Sequence, residues 1–466
     1  MSDKRPALLL LCCLVLICIS GCASSSGVVP ESDASELSPP VTGVHNVIIM
    51  IGDGMGFEHL AAAESYEPEG VHGDVFGRFD VRLAMSTFSA DGSGYDASSS
   101  LEYSQYVREG ATDSAAAATA ISTGRKTYNG AIGVVGDPSS PTTATHLMEV
   151  AEDAGLSTGV VTSVQISHAT PAGFVAHEAR REDYSAIARD MLVDSAVDVI
   201  MGAGHPWFDD DGDRLSLVDS FQYIGGEDTW EALISGRLGG DADADGVDNP
   251  WRLVDTRQGF LDVASATTPG RVFGLAPVAR TLAQKRSGAD DVAPGTVPYP
   301  ESVPTLAEMT AAALNVVDDD PQGFVLMVEG GAIDWASHAN QSGRMLEELD
   351  EFEGAVQTVW DWVEENSNWS ETLLVVTADH ETGCLALSEP NALSEESMSS
   401  PYMDRFGGML PDMRWGSTGH TNSFVPLLAQ GAGATLFYGL TNDVDPIRGS
   451  FLDNTALSEV ILRVIR

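Results

Sequence analysis

Four short apolar runs, rich in β-branched residues, recur along the chain, and each is flanked by glycine or polar residues. They lie at residues 44–51, 159–162, 324–328 and 373–377. Continuous apolar runs of this length are typical of strands that are buried on both faces of a sheet. The pattern therefore predicts four core strands, distributed over most of the chain.

Helical patterns lie between these runs. Residues 145–154 and 305–317 form two of them. A longer one repeats apolar residues every three or four positions from Leu346 to Val363, with five acidic residues predicted to face solvent: Glu347, Glu348, Asp350, Glu351 and Glu353. The alternation of strands and helices predicts an α/β fold, a three-layer α/β/α sandwich with a central, mostly parallel sheet.

Residues 202–304 depart from this alternation. The segment is rich in Gly, Pro and Asp, and its apolar periodicity is weak, so we expect an insertion on the surface of the main domain. It contains acidic stretches at 209–213 and 241–246. The second resembles the start of a calcium loop, but Arg252 stands at the twelfth position, where such a loop needs glutamate. We therefore expect solvated turns rather than a Ca²⁺ site.

The N-terminus has the pattern of an export signal. Two basic residues precede an apolar run at 7–19, which ends in Ile19-Ser20-Gly21-Cys22 and resembles a bacterial lipobox. This predicts a lipoprotein signal peptide at 1–21, a flexible tether at 22–40 and one domain at 41–466. The protein is then exported to the periplasm or cell surface, with a lipid anchor on Cys22. An ordinary signal peptide cut near Ala23 is the alternative.

The composition of the chain limits which partners it can bind and what can stabilise its fold. The chain has 69 acidic and 24 basic residues, a net charge of −45, which disfavours nucleic acid as a partner. The acidic side chains repel one another, and dissolved salt screens that repulsion, so the charge indicates a salt-rich environment. The alternative is that the acidic residues only keep the protein soluble. Cys384 is the one cysteine beyond Cys22, so no disulfide is expected within the domain.

Acidic residues follow the predicted strands. Asp53 comes after the first run, Glu329 after the third, and Asp379 with His380 after the fourth. Because the carboxyl ends of parallel strands meet at one edge of a sheet, we expect these side chains to converge. Converging carboxylates repel one another and need cations between them.

Further metal ligands are predicted elsewhere. Asp334 and His338 are four apart, which places both on one face of a helix, and His420 lies in a glycine-bearing loop. Mixed His and Asp ligands suit zinc, whereas carboxylates and hydroxyls suit magnesium. Six histidines elsewhere in the chain are expected to be capping or core residues: His45, His59, His72, His146, His177 and His205.

Ser114 is the candidate nucleophile. It lies in an alanine-rich stretch at 111–120 that should form a helix beginning close to the serine. The N–H groups and dipole of a helix N-terminus favour a bound phosphate, and a nearby metal would lower the pKa of the hydroxyl. Without such neighbours the same serine would be an ordinary helix cap.

Six stretches together resemble the alkaline phosphatase family, in that family's order, from about residue 44 to the C-terminal end. They are Ile49-Met50-Ile51-Gly52-Asp53-Gly54-Met55-Gly56, Thr112-Asp113-Ser114-Ala115-Ala116, Ala169-Thr170-Pro171-Ala172, Glu329-Gly330-Gly331-Ala332-Ile333-Asp334, Thr377-Ala378-Asp379-His380-Glu381 and Thr418-Gly419-His420-Thr421.

The resemblance implies a role for each matching residue. Asp334, His338 and His420 match a first zinc site, and Asp53, Asp379 and His380 match a second, with Asp53 bridging to a third site. Thr170 and Glu329 match the other ligands of that third site, which usually holds Mg²⁺. Ser114 matches the phosphorylated nucleophile, and Arg181 matches the arginine that clamps phosphate, with Arg180 as its competitor.

Two positions differ from the best-known bacterial pattern. His168 stands in place of aspartate and Trp335 in place of lysine, a pair that resembles some marine bacterial and crustacean members. The loss of a carboxylate beside the third site implies weaker Mg²⁺ binding and competition by Zn²⁺. The resemblance also implies hydrolysis of phosphate monoesters and a homodimer. A phosphodiesterase or sulfatase on the same framework, or a non-catalytic binding protein, would be the rival interpretations.

Overall fold

The computed structural model describes residues 43–66, 75–92, 94–96, 106–239, 248–266, 270–290, 292–387 and 410–465. Pro40–Arg466 forms one compact unit. The predicted signal peptide, Cys22, the tether and the acidic stretch 241–246 lie outside the described residues. Within the described ranges, no helix combines the length and the apolar character of a membrane span.

The strands are short, and the four predicted apolar runs each fall on one of them. They are β1 Asn46–Gly52, β2 Val81–Ser86, β3 Val134–Asp137, β4 Ser140–Thr143, β5 Ser157–Gln165, β6 Val199–Ala203, β7 Arg252–Val254, β8 Val272–Leu275, β9 Phe324–Gly330, β10 Thr372–Thr377, β11 Glu381–Thr382, β12 Leu385–Leu387, β13 Met413–Trp415, β14 His420–Thr421, β15 Val425–Gly431, β16 Asp443–Asp445 and β17 Gly449–Asp453.

The helices connect these strands. They are α1 Phe57–Tyr66, α2 Ser114–Thr123, α3 Leu147–Asp153, α4 Ala169–Val175, α5 Tyr184–Arg189, α6 Glu227–Ile234, α7 Arg257–Ser265, α8 Leu306–Val317, α9 Ala332–His338, α10 Ser342–Asn366 and α11 Ala456–Val464. Short 3₁₀ turns lie at Phe76–Arg78, Tyr106–Arg108, Gln222–Ile224 and Ala434–Leu440, and a π-helical turn at Asp190–Asp194.

One large sheet organises the described part of the chain. Its strand order is β16-β17-β2-β15-β10-β1-β9-β5-β6-β8-β7. Pairing is parallel from β10 through β1, β9, β5, β6 and β8 to β7, and it is antiparallel where β15 joins β10 and β2. The predicted mostly parallel sheet is confirmed.

Burial shows that the sheet is covered on both faces. Val47, Ile48, Ile49, Met50 and Ile51 are consecutive in β1, and each has 0% of its surface exposed. Since alternate side chains of a strand point to opposite faces, helices must cover both sides. One group packs α2 with α3, α4 and α11, and another packs α10 with α1, α8 and α9. The α/β sandwich is therefore the observed fold.

Local signals set the helix boundaries. The Thr305 hydroxyl accepts from the Glu308 N–H while the Glu308 carboxylate accepts from the Thr305 N–H, a capping box that starts α8 next to its predicted start. The long predicted helix is α10, whose apolar residues Leu349, Phe352 and Val356 are fully buried. Apolar periodicity was sufficient to predict both helices.

The segment 202–304 is only partly a surface addition. Its strands β7 and β8 continue the central sheet beyond β6, and α7 packs against α8. The acidic stretch 209–213 is a turn in which Asp209 Oδ1 accepts from the N–H groups of Asp211 and Asp213, and Asp210 pairs with Arg280. These strands are only three and four residues long, too short to show a periodic pattern, which is why the sequence did not reveal them.

Two of the five acidic residues predicted to face solvent on the long helix are buried, so that prediction was wrong for them. Glu347 and Glu348 are 4% and 3% exposed, and Glu347 accepts hydrogen bonds from Arg286 and from the Gly295 N–H, which lie far from it in the sequence. Arg286 donates to Glu347 Oε2 at 2.8 Å. The apolar pattern of a helix cannot reveal an arginine that reaches it from a distant part of the sequence.

Glu348 gives the first testable prediction. Burial, reinforced by Glu351, raises its pKa from 4.5 to about 8, against the opposing effect of Arg286. When folding raises the pKa of a carboxyl, the folded protein loses stability as the pH rises from the unfolded pKa of that group through its folded pKa. We therefore expect Glu348→Gln to raise the free energy of unfolding by a few kcal/mol near about pH 9 and to have little effect near about pH 5.

Denaturant unfolding at both pH values checks this expectation. The matched control is Glu365→Gln on the exposed side of the same helix, which should change neither value. Equal effects of Glu348→Gln at the two pH values would contradict the buried, raised pKa of this carboxyl.

Candidate active site

The strand register brings three carboxylates together. Ile51 of β1 is paired with Glu329 of β9 and with Thr377 of β10. Asp53 and Asp379 each lie two residues beyond a paired position, so they leave the sheet side by side. The N–H of Gly54 donates to Asp379 Oδ1 at 3.1 Å. The predicted convergence at one sheet edge is confirmed.

Gly54 allows a helix to pass directly beside this edge. Its φ is +74°, and a Cβ at this position would lie 2.9 Å from the Asp334 Cα. Only glycine adopts this conformation without strain, and only glycine leaves that space free. The glycine after Asp53 therefore brings α9, with Asp334, against the first strand end.

Asp334, His338 and His420 form one group. In α9 the His338 Nε2 lies 3.3 Å from Asp334 Oδ1, as the spacing of four predicted. His420 comes from β14, which pairs with β11, and its Nε2 lies 3.6 Å from the same oxygen. One ligand atom from each residue lies within 4.8 Å of the other two, close enough to hold one metal ion.

The two imidazoles of this group are oriented as metal ligands. His338 Nδ1 lies 2.6 Å from the Thr418 carbonyl oxygen, and His420 Nδ1 lies 2.8 Å from that of Thr112. A carbonyl only accepts, so both Nδ1 atoms carry the proton and both Nε2 atoms present a lone pair. These lone pairs face each other at 3.0 Å, an arrangement that a bound cation makes favourable.

Asp53, Asp379 and His380 form a second group. His380 Nε2 lies 3.6 Å from Asp53 Oδ1 and 3.2 Å from Asp379 Oδ2. All three residues are fully buried, and both Asp53 oxygens and Asp379 Oδ2 have no hydrogen-bond partner among the described residues. Unpaired buried carboxylate oxygens are costly, so this group also fits a cation.

The electrostatics of the carboxylates agree with this interpretation. Burial, and then the neighbouring Asp379, raise the pKa of Asp53 well above its ordinary value. Burial, and then Asp334, raise the pKa of Asp379 to about 6. The charged forms are therefore disfavoured in the protein alone, and positive charge between them would stabilise them.

A third group contains hydroxyls in place of histidine. The Thr162 hydroxyl donates to Glu329 Oε2, while Glu329 Oε1 is buried without a hydrogen-bond partner among the described residues. Burial raises the pKa of Glu329 to about 7, against the opposing effect of the Thr162 and Thr170 hydroxyls. Thr170 is fully buried in the first turn of α4. An all-oxygen set of this kind suits a hard cation such as Mg²⁺.

Ser114 lies against the second group. It is the first residue of α2, is 2% exposed, and its Oγ lies 3.2 Å from His380 Nε2. Asp113 caps the helix, because its side chain accepts from the Ala116 N–H at 3.0 Å. The cap role is thus taken by Asp113, which leaves the Ser114 hydroxyl free to face the candidate metal ligands.

Arg181 reaches the same helix terminus. Its Nη1 donates to Asp113 Oδ2 at 3.0 Å, next to Ser114 in the chain. The Arg180 side chain is 69% exposed and faces Glu182. The structure therefore places Arg181 at the site and its neighbour Arg180 outside it.

His168 and Trp335 meet at the edge of the site. Their rings are 5.6 Å apart in an edge-to-face arrangement, with His168 directly before α4 and Trp335 beside Asp334. Lys285 Nζ lies 5.6 Å from the centroid of the Trp335 ring. Burial, and then Arg181, lower the pKa of His168 to about 3, so its ring is neutral.

Three supporting residues were absent from the site predicted from the sequence. Thr382 donates to Asp334 Oδ1 at 2.6 Å, Thr162 donates to Glu329, and Asp113 joins Arg181 to the α2 terminus. Asp113 carried a usable signal, since an aspartate before an alanine-rich stretch is a typical helix cap. The two threonines carried none, because their partners are distant in the sequence.

The sequence of this chain is similar to those of several known proteins. A family model described as alkaline phosphatase matches residues 44–406. The alkaline phosphatase of Escherichia coli is 31% identical over 86% of this chain and 84% of its own length. Alkaline phosphatase 3 of Bacillus subtilis is 31% identical over 79% of this chain and 68% of its length.

The solved structures agree. That of the alkaline phosphatase from the Antarctic bacterium TAB5 is 25% identical, covers 92% of this chain and 98% of its own, and gives a TM-score of 0.62. The match to the family model includes the predicted metal ligands from Asp53 to His380, and His420 lies beyond it. The chain therefore belongs to the alkaline phosphatase family and is a phosphomonoester hydrolase.

Proposed function

We propose that this enzyme hydrolyses phosphate monoesters to an alcohol and inorganic phosphate through a phosphoserine formed on Ser114. The observation that carries the proposal is the 3.2 Å contact between Ser114 Oγ and His380 Nε2, inside a buried cluster of carboxylates and imidazoles. A serine hydroxyl is too weak an acid to attack phosphorus unaided, and this cluster is built to hold the cations that would activate it.

The three groups of side chains correspond to two Zn²⁺ and one Mg²⁺. Asp334, His338 and His420 would hold the first zinc, and Asp53, Asp379 and His380 the second. Asp53, Thr170 and Glu329 would hold Mg²⁺, with Zn²⁺ competing for this third site. When bound, the two zinc ions lower the pKa of the attacking hydroxyl and stabilise negative charge on the leaving oxygen.

The chain's own residues position the reaction. Ser114 Oγ forms a bond to phosphorus as the bond to the alcohol oxygen breaks, and water then replaces Ser114 to release phosphate. The α2 terminus directs backbone N–H groups at the phosphate, and Arg181 offers two N–H groups to its oxygens. The 3.0 Å hydrogen bond to Asp113 holds that guanidinium beside the serine.

His168 and Trp335 should tune phosphate binding. His168 provides no carboxylate beside the third metal group, and Trp335 provides no positive charge near the phosphate. A histidine-to-aspartate mutant of the TAB5 enzyme is described as having Mg bound in its M3 site. This supports the idea that an aspartate at position 168 would favour Mg²⁺ in this chain as well.

The double variant His168→Asp, Trp335→Lys tests whether these two residues tune the affinity for phosphate. We expect it to bind product phosphate about tenfold more tightly, a gain of about 1.4 kcal/mol, because the lysine would place a positive charge near the phosphate. Competitive inhibition by phosphate measures the effect, and the two single variants separate the contributions. An unchanged inhibition constant would contradict these roles.

A phosphodiesterase on the same framework is the rival function. The rates with p-nitrophenyl phosphate and bis-p-nitrophenyl phosphate discriminate the two. We expect kcat/KM for the monoester to exceed that for the diester by at least about a hundredfold, roughly 2.7 kcal/mol of transition-state preference. A faster diester reaction would overturn the proposal.

A sulfatase and a non-catalytic binding protein have little support. A sulfatase needs a Cys- or Ser-x-Pro-x-Arg sequence, and the stretch that begins at Ser139 has Thr143 in place of the arginine. Ser139 is exposed between β3 and β4. A binding protein without activity is expected to lose its nucleophile or ligands, whereas this chain retains the complete set.

The cellular context rests on the sequence. We propose export, a lipid anchor on Cys22 at the periplasmic face or cell surface, and a salt-rich environment that screens the net charge of −45. A homodimer is proposed from the family resemblance. These remain predictions, and labelling with a radioactive fatty acid would test the anchor.

A further inference from the structure

A second cluster of metal-binding side chains lies outside the proposed catalytic centre. It consists of His146, directly before α3, Glu149 in the first turn of α3, and His177, just after α4. His146 Nδ1 lies 3.5 Å from Glu149 Oε2, and His177 Nε2 lies 3.6 Å from the same oxygen. One ligand atom from each residue lies within 4.8 Å of the other two.

Helix capping explains only part of this cluster. Glu149 Oε2 accepts from the His146 N–H at 3.0 Å, and His146 Nδ1 accepts weakly from the Glu149 N–H at 3.5 Å, which together form a capping box. That motif involves two residues. The ring of His177 comes from another segment, yet it stacks on His146 with centroids 4.7 Å apart.

The availability of the ligand atoms favours a bound ion. His146 is 2% exposed, its Nδ1 makes only the long 3.5 Å contact with the Glu149 N–H, and burial, and then His177, lower its pKa to about 3, so the ring is neutral. Neutral imidazole is the form that binds metals. Glu149 is 44% exposed, which gives an ion and its coordinating water access from solvent.

We propose that His146, Glu149 and His177 bind a divalent transition-metal ion of the zinc class, with water completing the coordination. Two imidazole nitrogens and one carboxylate suit Zn²⁺ and disfavour Mg²⁺ or Ca²⁺, which take oxygen ligands. His177 Nε2 lies 3.2 Å from the Ala144 carbonyl oxygen, so metal binding moves its proton to Nδ1 and replaces that hydrogen bond.

The position of this site indicates what it does. His177 is four residues before Arg181, and the segment between them pairs with Ile132 through Glu178. A metal held by His146 and Glu149 would tie this segment to the start of α3. The ion is therefore a positioning element for Arg181 and takes no part in the reaction itself.

The metal content of the full-length enzyme tests the site. The variants Glu149→Gln and His177→Gln remove a ligand while their amides keep an acceptor for the His146 N–H and a donor for Ala144. After Zn²⁺ loading and dialysis, we expect each variant to hold about one zinc fewer per chain than the wild type. The exposed His45→Gln is the matched control and should hold the wild-type amount.

Two further measurements separate this site from the catalytic centre. Both variants should keep kcat within about twofold and show a raised KM, because Arg181 is less well held. The anomalous map of wild-type crystals grown with Zn²⁺ should show a peak between His146, Glu149 and His177. Equal zinc content in wild type and variants, or the absence of this peak, would overturn the inference whatever the state of the catalytic metals.

Discussion

Ser114→Ala is expected to lower phosphatase kcat by at least about a thousandfold while the protein keeps its full metal content. The hydroxyl is the only group that the substitution removes, and the imidazole it contacts, His380, also contacts Asp53 and Asp379. The metal ligands therefore stay in place. The helix should also persist, because Asp113 supplies the cap.

Activity with p-nitrophenyl phosphate and elemental analysis of the same sample measure this effect. Ser139→Ala is the matched control, since Ser139 is exposed and lies between β3 and β4. It should retain wild-type activity. A Ser114→Ala protein that keeps more than about a tenth of the activity would rule out Ser114 as the nucleophile.

Removal of the metals should abolish activity and also destabilise the fold. Asp53, Glu329 and Asp379 are fully buried and carry unpaired oxygens, so their repulsion is uncompensated without cations. Loss of the partner of a buried charge typically costs about 3–5 kcal/mol. We expect the chelated enzyme to unfold with a free energy lower by at least that amount, and no internal disulfide is predicted that would limit the loss.

Dialysis against a chelator, followed by denaturant unfolding and activity assays, checks this prediction. Zn²⁺ and Mg²⁺ together should restore both properties, whereas Ca²⁺ alone should not, because His338, His380 and His420 are poor ligands for it. Full activity at a metal content near zero would contradict the account.

Much of the site was predictable because it depends on strand order and local caps. Asp53 and Asp379 directly follow apolar runs, and parallel strands necessarily bring such positions to one edge. The spacing of Asp334 and His338 needed only a helix. Ser114 at a helix start followed from its alanine-rich neighbours.

The remaining features depend on contacts between distant segments. Arg181 is 68 positions from Asp113, and Arg286 is 61 positions from Glu347. Nothing in the local pattern signals either contact. For the same reason the burial of Glu347 and Glu348 and the meeting of His146 with His177 became visible only in the fold.

The most direct test of the central claim is to map the phosphorylated residue in acid-quenched enzyme. Metal-loaded protein mixed with a phosphate monoester should carry phosphate on Ser114 and on no other residue, and chelated protein should carry none. Phosphate on a different residue, or equal labelling of Ser114 without metals, would contradict a serine activated by cations at the converging strand ends.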